Sequence, residues 1–115
     1  MKTALVLIGS ALFLFSASSA QEPSVVETKF PVSGACGMCK TRIENSLKIK
    51  EVKYAKWDRK TKILTVAYLS PAITVDSLQR RLAAVGHDTE KHKAPDEVYD
   101  ALPACCHYRG GAEED

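Results

Sequence analysis

Cys36, Cys39, Cys105 and Cys106 are the residues of this sequence best suited to soft-ligand and redox chemistry. The first two stand in Ser33-Gly34-Ala35-Cys36-Gly37-Met38-Cys39, ahead of a stretch that reads as a helix. Cysteines at the start of a helix meet free backbone N–H groups and the positive end of the helix dipole. Both favour the thiolate over the thiol. Two thiolates on one short loop can pinch a single soft ion from opposite sides, which suits Cu(I) or Hg(II). Zn(II) prefers four ligands, and this loop supplies two.

Other chemistries share the spacing. A thiol–disulfide oxidoreductase would use Cys36 as its nucleophile, and a small interaction domain would use the pair only as a staple. Three features stand against the thioredoxin-like reading. Ala35 occupies the place where an aromatic residue usually precedes that motif, one strand at most fits between a leader and Cys36, and Pro71 is followed by a helix pattern.

Cys105-Cys106-His107 lies near the other end. Neighbouring cysteines bond to each other only in a strained ring, because adjacent Cα atoms are about 3.8 Å apart and disulfides favour longer separations. Each sulfur therefore has other business. The pair completes a multi-thiolate site with Cys36 and Cys39, forms disulfides that close that site, or makes a second, independent capture site. His107 is a supporting ligand at most. Met38, between the first two cysteines, carries a weak soft thioether but more commonly packs or faces solvent.

The elements that must position these groups are legible from periodicity. Val26, Thr28, Phe30 and Val32 alternate with polar residues and Pro31, as in a strand with one buried face. A helix is expected from Gly37 to Lys48, with Cys39, Ile43 and Leu47 as its apolar stripe. Val52–Asp58 and Ile63–Tyr68 read as strands around the polar turn Asp58–Lys62. Thr74 suits the N-cap of a second helix through Val85, with Val75, Leu78, Leu82 and Val85 inward and Gly86 as its stop. A weak strand is expected around Asp88–His92. The order predicts an α+β fold, a ferredoxin-like βαββαβ sandwich. Pro95 opens a short helix whose Val98 and Leu102 share a face, and Pro103 ends it. A fourth strand would carry the chain away from Cys36, and the segment Lys93–Ala104 is long enough to bring it back.

The ends and the charges set the context. Lys2, the apolar run Ala4–Phe15 and the small residues to Ala20 form a secretory leader pattern cut after Ala20. The run is shorter than the roughly 20 residues of a membrane span. The expected setting is periplasmic or secreted, where an even number of cysteines normally means disulfides. The domain would span 21–93, with a cysteine-containing extension over 94–115 that is disordered from Gly110. The leader's sole charge is Lys2, so the rest is close to neutral and nothing global asks for nucleic acid or stable membrane insertion. Lys40, Arg42 and Lys48 lie in a basic stretch that would suit docking to an acidic partner.

Phe30–Leu47, FPVSGACGMCKTRIENSL, at the end of a first strand resembles the heavy-metal-associated domain family, which includes copper chaperones and the periplasmic mercury-binding protein. The resemblance covers about Val25–Lys93 and includes the Cys-Cys extension. It implies that Cys36 and Cys39 bind the metal: Cu(I) first, with Hg(II) or Zn(II) as the other ions. It further implies transfer to a metal-transporting membrane protein or another metallochaperone, without a catalytic step. Metal can also bridge two copies of such a domain. The family commonly has Gly-Met-Thr before its first cysteine. Here Ser33-Gly34-Ala35 stand instead, which predicts a more mobile loop. Val85–Thr89 matches the family's loop facing the metal and places His87 there, either as a further ligand or as a hydrogen-bond donor to a thiolate.

Overall fold

The computed structural model of the chain describes Gly9 and residues 22–110. The expected leader, apart from Gly9, and the acidic end from 111 onward lie outside the described residues. Three antiparallel strands, β1 (Ser24–Pro31), β2 (Val52–Trp57) and β3 (Ile63–Ser70), form a sheet in the order β1-β3-β2. Helices α1 (Gly37–Ser46) and α2 (Val75–Ala84) pack into one core with it, and α3 (Asp96–Asp100) and a 3-10 turn (Ala104–Cys106) follow. This is the α+β arrangement expected of the sequence.

The periodic stripes became the core. Cys39, Ile43 and Leu47 from the α1 segment are buried against Leu78 and Leu82 of α2 and Phe30, Leu64 and Val66 of the sheet. Thr74 caps α2 by accepting from the Ser77 N–H, satisfying one of the free donors of the first turn. Gly86 follows with φ of +111°, a conformation open chiefly to glycine, and turns the chain toward the cysteine loop.

The fourth strand is the main departure. It is reduced to one bridge, between Val32 and Thr89. The cause is local. The Thr89 N–H donates to the His92 carbonyl, the His92 N–H donates to Thr89 Oγ1, and the Ala94 N–H donates to the Asp88 carboxylate. Donors that a sheet ladder would need are thus used in a turn, and Pro95 has none. The chain runs a short way along α2, where the Lys91 N–H donates to Gln79 and His92 Nε2 meets Asp76, and the Ala94 N–H then brings it back to Asp88 beside the cysteine loop.

The extension packs into the same core as the domain. Tyr99, Leu102 and Cys106 are buried in the cluster that holds Cys39 and Trp57. On α3 it is Tyr99 that shares the inward face with Leu102, while Val98 is half-buried. Burying a side chain of this size stabilises by about 1.5–3 kcal/mol.

The loop before Cys36 is packed, which corrects the expectation of mobility drawn from its missing Met and Thr. Gly34 and Ala35 are buried, and a Cβ on Gly34 would lie 2.9 Å from the Trp57 ring and 3.2 Å from the Cβ of Cys39. Trp57 fills the space beside the loop. Its indole N–H donates to the carbonyls of Val32, at 3.0 Å, and Lys62, at 3.2 Å, so the ring is fixed. Gly34→Ala is therefore expected to destabilise the fold by about 1–3 kcal/mol through overpacking. Urea unfolding of the variant beside the wild type measures this, and unchanged stability would show that the ring gives way.

Candidate metal centre

Cys36 is the N-cap of α1 and has extended backbone geometry, with its carbonyl accepting from the Cys39 and Lys40 N–H groups. Cys39 lies one turn into the helix and is fully buried, while Cys36 is half-exposed. Their sulfurs are 3.6 Å apart. Burial works against a charged Cys36. The Cys105 thiol and the backbone N–H groups of Cys39 and Met38 outweigh it and hold the Cys36 thiol below its ordinary range. Cys105 is shifted the other way, upward, by its contact with Cys36, 2.7 Å away, and by burial. Cys36 is thus the more acidic thiol of that pair.

The tail cysteines reach this loop. Cys39 and Cys106 are joined as a disulfide, with Cα atoms 5.8 Å apart, within the usual range for such a bridge. Cys36 Sγ lies 2.7 Å from Cys105 Sγ and 3.3 Å from Cys106 Sγ. Of the three roles open to the tail pair, a second, independent capture site is overturned, because Cys106 is fully buried beside Cys39. The Cys36, Cys39 and Cys106 sulfurs all lie within 4.8 Å of one another. Cys105 is exposed, and Met38 Sδ, also on an exposed side chain, is 3.7 Å from its sulfur.

The other candidate residues fall in different places. His87 is fully buried and lies outside the sulfur group. Its Nδ1–H donates to the Ser33 carbonyl at 2.8 Å, so it holds the loop that precedes Cys36. His107 packs beside the Tyr99 ring. Lys40 donates to Glu44 and to the Trp57 carbonyl, and an Arg42 guanidinium N–H points at Cys106 Sγ, 3.4 Å away. Lys48 is exposed.

Sequence reasoning missed the anchor of the tail. The Tyr108 hydroxyl donates to the Gly86 carbonyl and accepts from the Asp88 N–H. Arg109 donates to both carboxylate oxygens of Asp88, at 2.8 and 3.1 Å, and to the Ala94 carbonyl, and lies over the Tyr99 ring. Burial opposes the Asp88 charge, but the Arg109 guanidinium holds its carboxyl below the ordinary range. Tyr-Arg directly after Cys-Cys-His was the available signal.

No family profile and no curated relative matches the chain. Solved structures do. The CopZ metallochaperone is 24% identical, with a TM-score of 0.53, over 56% of this chain and 98% of that one. A putative copper-ion-binding protein from Bacillus anthracis is 23% identical, with a TM-score of 0.55, over 58% and 97%. The N-terminal domain of a potential copper-translocating P-type ATPase from Bacillus subtilis, in its Cu(I)-loaded state, is 27% identical, with a TM-score of 0.53, over 56% and 84%. The match spans nearly all of the CopZ chain, so the unmatched part of the present chain has no counterpart there.

Two outcomes follow from this geometry. Mild oxidation of the reduced protein by a small disulfide, followed by peptide mapping, should yield the Cys39–Cys106 linkage; a Cys36–Cys39 linkage in its place would contradict the arrangement. His87 sets a pH dependence. Burial holds its imidazole below the ordinary value and the nearby Arg42 charge adds to this, while the Ser33 bond and Asp88 oppose it. The unfolded state, with a pKa near 6.5, then binds the proton more readily. The stability from neutral His87 is present above about pH 6.5 and lost as pH falls below it. Urea unfolding should show this fall, and His87→Gln should flatten it. An unchanged slope in the variant would remove His87 as its source.

Proposed function

We propose that this chain, whose fold is that of the heavy-metal-associated domains, binds a soft metal ion through Cys36 and Cys39 and passes it on by thiolate exchange. Cu(I) is the first cargo and Hg(II) the second. The observation that carries the reading is the pair itself: sulfurs 3.6 Å apart at the N-terminus of α1, with the Cys36 thiol held below its ordinary range. Two thiolates around Cu(I) leave one net negative charge. The free N–H groups at the start of α1 stabilise it. Copper-binding proteins among the solved structures of similar fold support the choice of metal.

Exposure gives the exchange a direction. Cys36 is half-exposed and Cys39 fully buried, so an incoming thiolate meets the metal on the Cys36 side. The partner's sulfur adds to the ion as that of Cys36 leaves, and no bond other than metal–sulfur is made or broken. The partner would be a metal-transporting membrane protein or another metallochaperone, approached in part through Lys48 and the basic stretch around it. The leader pattern at 1–20 supports an extracytoplasmic setting.

The test is anaerobic Cu(I) titration of the reduced chain against a competing chelator, read by native mass spectrometry. One ion should be held, and Cys36→Ser/Cys39→Ser should abolish its retention. Failure of the reduced wild type to compete for Cu(I) would sink this reading and move the pair to thiol–disulfide chemistry.

A further inference from the structure

The core contains a sulfur that a two-cysteine claw does not need. Cys106 is fully buried, belongs to the same apolar cluster as Cys39, and lies 3.3 Å from Cys36. A cysteine can be buried simply as a small apolar residue. Cys106 is joined to Cys39 in this structure, and beyond what that bridge needs a charged donor is aimed at it. The Arg42 guanidinium, half-buried on α1, donates to its sulfur at 3.4 Å. A cation so placed favours a thiolate. Around Cys106 the chain is clamped on both sides. Leu102 is buried before it, and Tyr108 and Arg109 tie down the residues after it through Gly86, Asp88 and Ala94.

We propose that Cys106 is a third built ligand, so that the loaded site is a trigonal Cu(I) centre of Cys36, Cys39 and Cys106, with Cys105 outside it. This deepens the Cu(I) reading above and rests on it. The three sulfurs, two of them joined in this structure, form one group within 4.8 Å; Cys105 touches Cys36, at 2.7 Å, but is exposed, lies 4.0 Å from Cys106 and does not join that group. Three soft thiolates suit Cu(I), and without a fourth protein ligand the site is a poor tetrahedral cage for Zn(II). Three thiolates on Cu(I) leave two net negative charges, one more than the claw. Arg42, beside the third sulfur, supplies the added compensation. Loading requires the reduced chain, since sulfurs joined between Cys39 and Cys106 have no thiolate to give. The tail then acts as a lid whose own sulfur holds the cargo, which favours retention over rapid release.

The experiment uses the full chain, reduced with a phosphine, desalted and loaded anaerobically with one equivalent of Cu(I). X-ray absorption counts the sulfurs around copper, and chelator competition gives the affinity. The wild type should show three sulfurs. Cys106→Ser should show two and bind more weakly, by about 10- to 100-fold, the range in which even outer-shell changes alter metal sites. Cys105→Ser should keep three sulfurs. Two sulfurs in the wild type, or a lower count in Cys105→Ser as well, would overturn the proposal. Should Cys106→Ser fail to fold, the wild-type count decides alone, with Cys106→Ala as a second variant. Two-sulfur binding lost in Cys36→Ser/Cys39→Ser would defeat the third ligand but leave the claw standing. Binding that survives that double change would defeat both.

Discussion

Asp88 is the residue on which the arrangement turns. Its carboxylate takes two bonds from Arg109 and one from the Ala94 N–H. Its backbone N–H goes to the Tyr108 hydroxyl and its carbonyl accepts from the Ser33 N–H. One residue therefore joins the loop before Cys36, the turn that replaces a fourth strand, and the tail that carries Cys105 and Cys106. Charge-assisted bonds of this kind are among the stronger ones in a fold. Here they also set position. They act together with the burial of Leu102 and Tyr99, the Tyr108 bond to the Gly86 carbonyl and the Arg42 contact with Cys106 to place the tail.

The sulfurs divide by environment. Cys39 and Cys106 are fully buried, whereas Cys36 is half-exposed and Cys105 exposed. The polar surroundings divide in parallel. Cys36 has backbone donors and the Cys105 sulfur beside it, Cys106 has a guanidinium, and Cys105 has its thiol pushed upward by Cys36. A buried pair suits holding, and an outward pair suits exchange. Disulfide formation between Cys39 and Cys106 takes up both buried sulfurs, so oxidation would compete with the proposed metal binding for the same atoms.

Much of the fold was legible because its signals are local. The α1 and α2 stripes, the Thr74 cap and the Gly86 stop each depend on residues within a few positions of one another. The fourth strand was overestimated because the fold pattern calls for one there. The donors of Asp88–Ala94 have competing partners, two of them side chains of the same stretch, Thr89 and Asp88. The cysteine loop was misjudged for a similar reason. Its small residues look loose in isolation, yet Gly34 is small because Trp57, distant in sequence, occupies the space. His87 is a ligand candidate by residue type and loop position, whereas its neighbour Asp88 is legible only as a strand residue, since its partner Arg109 lies 21 residues further along.

The sequence by itself determined the chemistry available: two cysteines at a strand-to-helix junction, a second pair far away, and an α+β frame to carry them. Residue type and short-range periodicity suffice for that, because thiolate softness and helical spacing do not depend on distant parts of the chain. Which sulfurs meet was decided only by the tertiary structure. Contact between residues 67 positions apart, such as Cys39 and Cys106, depends on where the intervening chain turns and what anchors its end. Here a turn in place of a strand and an arginine held by Asp88 made that choice.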